Sequence, residues 1–367
     1  MADPMAAPAE RGNVIRKVLV FGAKVAMTCG CFWYLFRQIN IDDLLREAGD
    51  LKARWFVLAT ILVMLQIPLV GLRWAKITAA LEPMRPRPPL GAMVAITFIA
   101  NFFNQILPNV MSDALRIWML TQIRSGWRTG LAGIMIDRGV GIGVLLTIGF
   151  VTLLNASAFT TLGGYRQTAL AIFGALLLCG TAALVCARLY APMLACWRAT
   201  KWIGELGLVS RQVLIQSPEA LSIVGIAFVV HFLGIVCIWS VGQAFSMSLG
   251  VVEAAALFTL MVAIAIIPVT VSGWGLREVA VTAFLNAHGV PAQRALLFSI
   301  CFGLTLFAAA LPGAVVLMFY SPSKGRRPGF LNRVSGERPS PTLSPSPSET
   351  RHHPGPPEVA SLEKRKS

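Results

Sequence analysis

Long apolar runs, separated by short charged or polar segments, fill the chain from about residue 18 to residue 320. A helix that crosses a bilayer needs about 20 mostly apolar residues. Runs near that length occur at about 18–36, 55–72, 90–107, 131–154, 168–189, 221–245, 254–271 and 295–320. They predict eight main membrane-spanning helices, because a continuous apolar run satisfies its backbone in hydrocarbon by coiling. Two weaker apolar segments, 112–123 and 276–289, are short and carry charge, which predicts half-helices or re-entrant pieces. The expected fold class is all-α, a polytopic helical membrane protein. Trp33, Tyr34, Trp55 and Tyr320 fall at span ends, where aromatic rings favour the interface.

The pattern changes at Ser321. Residues 321–367 are rich in Pro, Ser and basic residues and bury too little apolar surface to fold, so a disordered cytoplasmic tail is expected there. His352 and His353 read as a solvated pair within it. Residues 1–17 form a short basic segment before the first run, and that run reads as a retained span because no small-residue cleavage site follows it. The Lys and Arg bias of short loops sets orientation. Loop 190–220, with Arg198, Lys201 and Arg211, belongs inside, whereas 155–167 and 246–253, with one basic residue and none, belong outside. Both termini are expected inside. Eight spans alone violate this parity. It is restored if 112–123 and 276–289 each cross back through part of the membrane, although loop 37–54, with Arg37, Arg46, Lys52 and Arg54, is then outside.

Composition strengthens the membrane assignment. Of 367 residues, 56% are hydrophobic and 13% charged, against roughly 25% charged in soluble domains. The net charge of +15 comes from basic residues between the runs and in the tail, where an anionic inner leaflet attracts them, so nucleic acid is not the expected partner. The seven cysteines fit neither a disulfide framework nor a zinc spacing. No Ser-His-Asp set and no phosphate-cradling Gly loop is visible, so neither a cofactor, a metal nor ATP-driven chemistry is expected. His231, alone in mid-span, reads as a packed hydrogen-bonding residue.

Two polar stretches lie at membrane depth. The first runs Asn101-Phe102-Phe103-Asn104-Gln105-Ile106-Leu107-Pro108, then Ser112-Asp113-Ala114-Leu115-Arg116. The second runs Pro268-Val269-Thr270-Val271-Ser272-Gly273-Trp274-Gly275-Leu276-Arg277-Glu278. Each reads as an apolar helix, then Pro, Ser and Leu-Arg, then an amphipathic segment, with a basic residue (Arg128, Arg294) opening a long span afterwards. An internal repeat is one reading and chance likeness between apolar stretches the other. With the orientation above, an odd number of crossings separates the copies, so a true repeat is inverted. Interrupted segments at matching places in two halves mark the central site of many transporters. Pro removes an amide hydrogen and Gly permits a turn, so the freed backbone groups must face protein or water.

Six charges accompany the breaks: Asp113, Arg116, Asp137, Arg138, Arg277 and Glu278. An ionised group at the bilayer centre costs about 2.5–3.5 kcal/mol on insertion scales. Their formal charges cancel, so a buried ion-pair network that only fixes helix packing is one reading. In the other, Arg116, Arg138 and Arg277 hold an anionic head group, for which the planar guanidinium fork is suited. Asp113, Asp137, Glu278, Asn101, Asn104 and Gln105 complete the expected substrate-binding set.

These motifs resemble the transmembrane-region family of bacterial lysylphosphatidylglycerol synthases. Leu107-Pro108-Asn109-Val110-Met111-Ser112-Asp113-Ala114-Leu115-Arg116 is similar to its first motif, Asp137-Arg138 to its acidic-Arg pair, and Ser272-Gly273-Trp274-Gly275-Leu276-Arg277-Glu278 to its second. Gly289-Val290-Pro291 and Leu311-Pro312-Gly313 fit as well, and the resemblance spans roughly 14–320. It implies a lipid-translocating domain of the bacterial cytoplasmic (inner) membrane. The soluble aminoacyl-transferase domain of the full synthases is not expected after Tyr320. Asn109-Val110-Met111, where the family has small residues, points to a different lipid. The expected function is movement of a lipid or lipid-linked anion between leaflets, by a transporter and not an enzyme. The alternatives are a non-catalytic membrane partner of a glycosyltransferase or lipid-synthesis enzyme, and a membrane-embedded transferase acting on a polyprenyl-phosphate.

Overall fold

The computed structural model of the chain describes residues 51–107, 109–123, 126–155, 165–197, 200–266 and 275–320. The first predicted span, residues 1–17, most of loop 37–54, Pro108, the stretch 267–274 and the tail lie outside these residues. Eleven α-helices occur among the described residues: α1 (Ala53–Leu81), α2 (Leu90–Ile106), α3 (Asn109–Ile123), α4 (Trp127–Leu154), α5 (Tyr165–Val185), α6 (Ala187–Ala195), α7 (Lys201–Arg211), α8 (Ala220–Ala244), α9 (Val251–Ile266), α10 (Leu276–Ala287) and α11 (Ala292–Phe319). A π-helical turn, Gln212–Gln216, follows α7.

Helices α1, α4, α5, α8 and α11 are long and apolar enough to cross a membrane. The chain is a polytopic helical membrane protein, as its hydropathy predicts. Helix α2 matches the predicted run 90–107, and α9 is described from Val251 to Ile266. Three differences from the sequence reading matter. The segments predicted at 112–123 and 276–289 form full short helices, α3 and α10. Gly275 (φ +87°) and Gly289 (φ +79°) bound α10 with backbone that side chains resist. Loop 190–220 is not a loop but largely the amphipathic pair α6 and α7. Finally, α1 continues well past the run predicted to end at residue 72, because Trp74, Ile77 and Thr78 keep the helical period and are buried.

The helices form two repeats of one plan, α1–α4 and α8–α11. In each, a long helix packs on a short one, a break follows, a second short helix comes next, and a helix of 28 residues closes the unit. The packing contacts among these eight helices have counterparts. Pairs α1·α2, α2·α3 and α3·α4 recur as α8·α9, α9·α10 and α10·α11, while α2·α11 and α1·α11 are mirrored by α9·α4 and α8·α4. Helices α1 and α8 pack on each other along their length.

Glycines mark equivalent crossings. A Cβ on Gly71 would lie 3.0 Å from the Val94 Cα across α1·α2, and one on Gly234 would strike the Phe258 ring across α8·α9. A Cβ on Gly313 would collide with the Phe98 carbonyl across α11·α2, and one on Gly149 would reach Thr259 at 2.9 Å across α4·α9. The paired glycines are 163 and 164 residues apart, so the same step of each helix crossing is reused.

The repeats are inverted. Lys52 N–H donates to the Ala244 carbonyl (3.2 Å), Trp55 meets Trp239 edge-on (5.5 Å), and Lys76 pairs with Glu219. The start of α1 thus lies at the end of α8, and the end of α1 at the start of α8. Equivalent helices that run antiparallel require a two-fold axis across them, which lies in the membrane plane when the helices span it. The expectation of an inverted repeat holds.

Glu219, at the mouth of α8, also accepts from Arg87. The hydrogen bond from Lys76, helped by Ser222 and the nearby cations, holds its carboxyl below the usual glutamate range. A depressed folded-state pKa adds stability that is present at neutral pH and is lost as pH falls through that lowered value. The acid sensitivity of unfolding in detergent should therefore diminish in Glu219→Gln. Gly313→Ala should lower stability by about 1–3 kcal/mol through overpacking against backbone that cannot yield. Gly225→Ala, where no atom lies within 4 Å, should leave the midpoint unchanged or raised in the same thermal melts.

Candidate functional site

Asp113 and Arg116 sit three apart on α3 and share one face. Asp137 and Arg138 are neighbours on α4, so their side chains diverge by about 100° around the helix. Asp137 turns inward and is buried, whereas the Arg138 side chain is 48% exposed. They therefore do not pair with each other. Arg138 donates to both Asp113 carboxylate oxygens, at 2.9 Å from Nη2. Asp137 is held by a residue that sequence reasoning missed, Arg73 of α1, whose Nε donates to Oδ1 at 2.7 Å. Arg116 lies between the two acids, with Nη1 3.7 Å from Asp137 and 3.9 Å from Asp113, and its guanidinium covers the Trp74 ring at 4.4 Å.

The cluster holds three guanidinium groups and two carboxylates, an excess of one positive charge. Its donors are not all used. Arg73 Nη1 and Arg116 Nε and Nη2 are buried without a hydrogen-bond partner. A buried unsatisfied polar group costs about 1–3 kcal/mol, and more when charged. Arg73 and Arg116 are among the residues lining a cavity of about 450 Å³ between α1, α2, α3, α4, α8 and α9. Asn101, Asn104, Ser112 and Thr97 add polar wall, and Ser112 Oγ donates to Asn104 Oδ1 at 3.1 Å. His231 also lines it. Its Nδ1–H donates to the Ala227 carbonyl at 2.8 Å and its ring meets Phe258 edge-on, so it is a packed residue that also faces the cavity. At the rim stand Val110, Ile142 and Ile266, exposed and apolar, beside Arg138. The cavity thus combines a polar, charged wall with exposed apolar residues of α3, α4 and α9.

Arg277 and Glu278 lie apart from this cluster. Arg277 Nε and Nη2 both donate to Glu278 Oε1, at 3.0 and 2.6 Å, and Ser299 Oγ donates to the same oxygen. Glu278 Oε2 accepts the Gly275 N–H at 2.6 Å, capping α10. Arg277 reaches a second cavity of about 270 Å³ together with Gln105, Asn104, Gln66, Phe302 and Leu306. Asn104 and Val262 line both cavities. Eight of the nine residues predicted from sequence line these two cavities, and Glu278, fully buried behind Arg277, lines neither. Gln66 and Arg73 were missed. Gln66 was legible as the only amide in its apolar run, and Arg73 through the helical period that continues past residue 72.

The chain is thus a helical membrane protein with a charged cavity inside its bundle. The family described as lysylphosphatidylglycerol synthase TM region matches residues 18–313, and the chain belongs to it. No curated protein and no solved structure matches the chain.

Removing one partner of a buried ion pair leaves an uncompensated charge, at about 3–5 kcal/mol. Arg73→Gln should destabilise by that order in detergent melts. Arg138→Gln, which breaks a half-exposed pair, should cost about 0–1 kcal/mol. The double variant Arg73→Gln, Asp137→Asn should lose less than the sum of its single changes.

Proposed function

We propose that the protein moves a lipid, or a lipid-linked anion, between the leaflets of a bacterial cytoplasmic membrane, acting as a transporter and not as an enzyme. The observation that carries this reading is the set of buried guanidinium donors without partners on two arginines that line the first cavity, in a cluster with surplus positive charge. A pure packing network has no use for unmet donors. A phosphate supplies several acceptor oxygens and a negative charge, matching the forks of Arg116 and Arg73.

Access follows from the rim. A head group leaves the interface at Arg138, which meets it first because half of that side chain is exposed. Asp113 holds Arg138 in the empty site and gives way as phosphate oxygens replace its own. The head group then passes to Arg116 and Arg73, while the acyl chains stay in lipid along Val110, Ile142 and Ile266. Asn104, shared by both chambers, leads on toward Gln105 and Arg277. Asp137 and Glu278 position the arginines and keep the chambers from trapping the anion.

Membership in the family supports a membrane role, and the exposed apolar residues of the cavity support a substrate that is partly lipid. In liposomes carrying labelled anionic phospholipid, the wild type should speed leaflet exchange above that of protein-free vesicles. Arg116→Ala, Arg138→Ala and Arg277→Ala should each slow it, provided detergent melts show them folded. Exchange equal to wild type in all three would return these charges to a scaffold role.

A further inference from the structure

Helix α5, with 21 residues, is about 32 Å long and by itself crosses a hydrocarbon core of about 30 Å. The chain then stays helical through α6 and α7, of 9 and 11 residues, before α8 begins. Each is about half the length that a crossing needs. The two pack on each other as a hairpin. Ala187 and Ala191 are buried, a Cβ on Gly204 would lie 3.1 Å from the Ala191 Cα, and one on Gly207 would strike the Tyr190 ring. Thr200 Oγ1 donates to the Leu194 carbonyl at 2.9 Å across the turn. Arg211 donates to the Val185 carbonyl, which ties the end of α7 back to the end of α5.

That packing uses one side of α6. On the far side Leu189, Met193 and Trp197 recur every four residues, each more than half exposed. Four residues advance a helix by about 40°, so the three form one stripe. Val185, equally exposed four residues earlier, joins the stripe to the apolar surface of α5, whose most apolar stretch has no buried residue. Arg188 points about 100° away from Leu189. It lines a groove of about 280 Å³ between α6 and α7, together with Lys201, Glu205 and the apolar Ala191, Ala195 and Leu208. Lys201 has Glu205 at 3.7 Å, while among the described residues Arg188 has no ion-pair partner.

The segment 187–216 carries Arg188, Arg198, Lys201 and Arg211 against Glu205 alone. Gln212 donates to the Ala80 carbonyl at 3.3 Å, so the hairpin lies on the side of the bundle where α1 ends, beside the loop that bears Arg85 and Arg87. An apolar stripe flanked by cations, continuous with a spanning helix and ending in a Trp, fits the boundary between head groups and acyl chains. A second copy of the chain seated there would bring the same positive charge and be repelled, whereas an anionic leaflet is attracted.

We propose that the α6–α7 hairpin seats in the head-group layer of the adjoining leaflet and binds anionic phospholipid there, with acyl chains against Leu189, Met193 and Trp197 and phosphate held by Arg188 and Lys201. The bound lipid is an anchor and not cargo, since the hairpin residues line neither cavity of the candidate site.

The test is photo-crosslinking in the full chain, with benzoylphenylalanine at Met193 or, as a control exposed within the span, at Leu178. Each variant is placed in phosphatidylcholine vesicles with a minor share of phosphatidylglycerol, one or the other radiolabelled. Position 178 reports the bulk composition, and the phosphatidylglycerol-to-phosphatidylcholine labelling ratio at 193 should exceed it severalfold. Arg188→Gln with Lys201→Gln, two exposed positions, should return the ratio at 193 to that at 178. Labelling at 193 that goes to a second copy of the chain, or to no lipid, overturns the seating in the leaflet. Lipid labelling at 193 with the ratio of 178 overturns the preference for anionic lipid. Enrichment that survives the double substitution overturns the assignment to Arg188 and Lys201. None of these variants touches the cavities, so the outcome is separate from that of the transport reading.

Discussion

An ionised group cannot stay in hydrocarbon alone, and the arrangement around Asp137 is the answer this chain gives. The carboxylate is buried between α1, α3 and α4, bonded to Arg73 and faced by Arg116. Removing either charge leaves the other stranded where the effective dielectric is low. Three helices are therefore tied together at mid-depth, and the cavity keeps its shape because its floor is an ion-pair network. The same network is incomplete in hydrogen bonds and unbalanced in charge.

The second organising fact is duplication with inversion. Antiparallel α1 and α8 form the centre, and each repeat lends its short helix to the other through the α2·α11 and α4·α9 crossings. Small residues at those crossings let backbones approach where lipid offers no hydrophobic drive to pack helices. The chemistry of the two cavities differs around this common frame: Asp113, Arg116, Asp137 and Arg138 line one, and Phe302 and Leu306 stand beside Arg277 in the other.

The two cavities thus differ in charge on a common fold: five charged side chains line the first, and Arg277, clasped by Glu278, is the one charged residue of the second. Asn104 lines both and accepts a hydrogen bond from Ser112 of the first motif.

Much of this was legible in the residues alone. Apolar runs of span length decide helix and membrane together, because lipid leaves the backbone no alternative. The polar motifs and their arginines were visible, and the repeated Pro, Ser and Leu-Arg pattern offered an inverted repeat as one of two readings. The sequence could not say which charges meet. Asp137 and Arg138 look like a pair on paper, yet adjacent helix positions point apart, and Arg73, 64 residues earlier, takes Asp137 instead. Nor could hydropathy show that loop 190–220 coils largely into helices. Those outcomes depend on how helices cross and what each face then touches. Period and composition are local properties of the chain, whereas partners, cavities and unmet donors exist only once distant segments are packed.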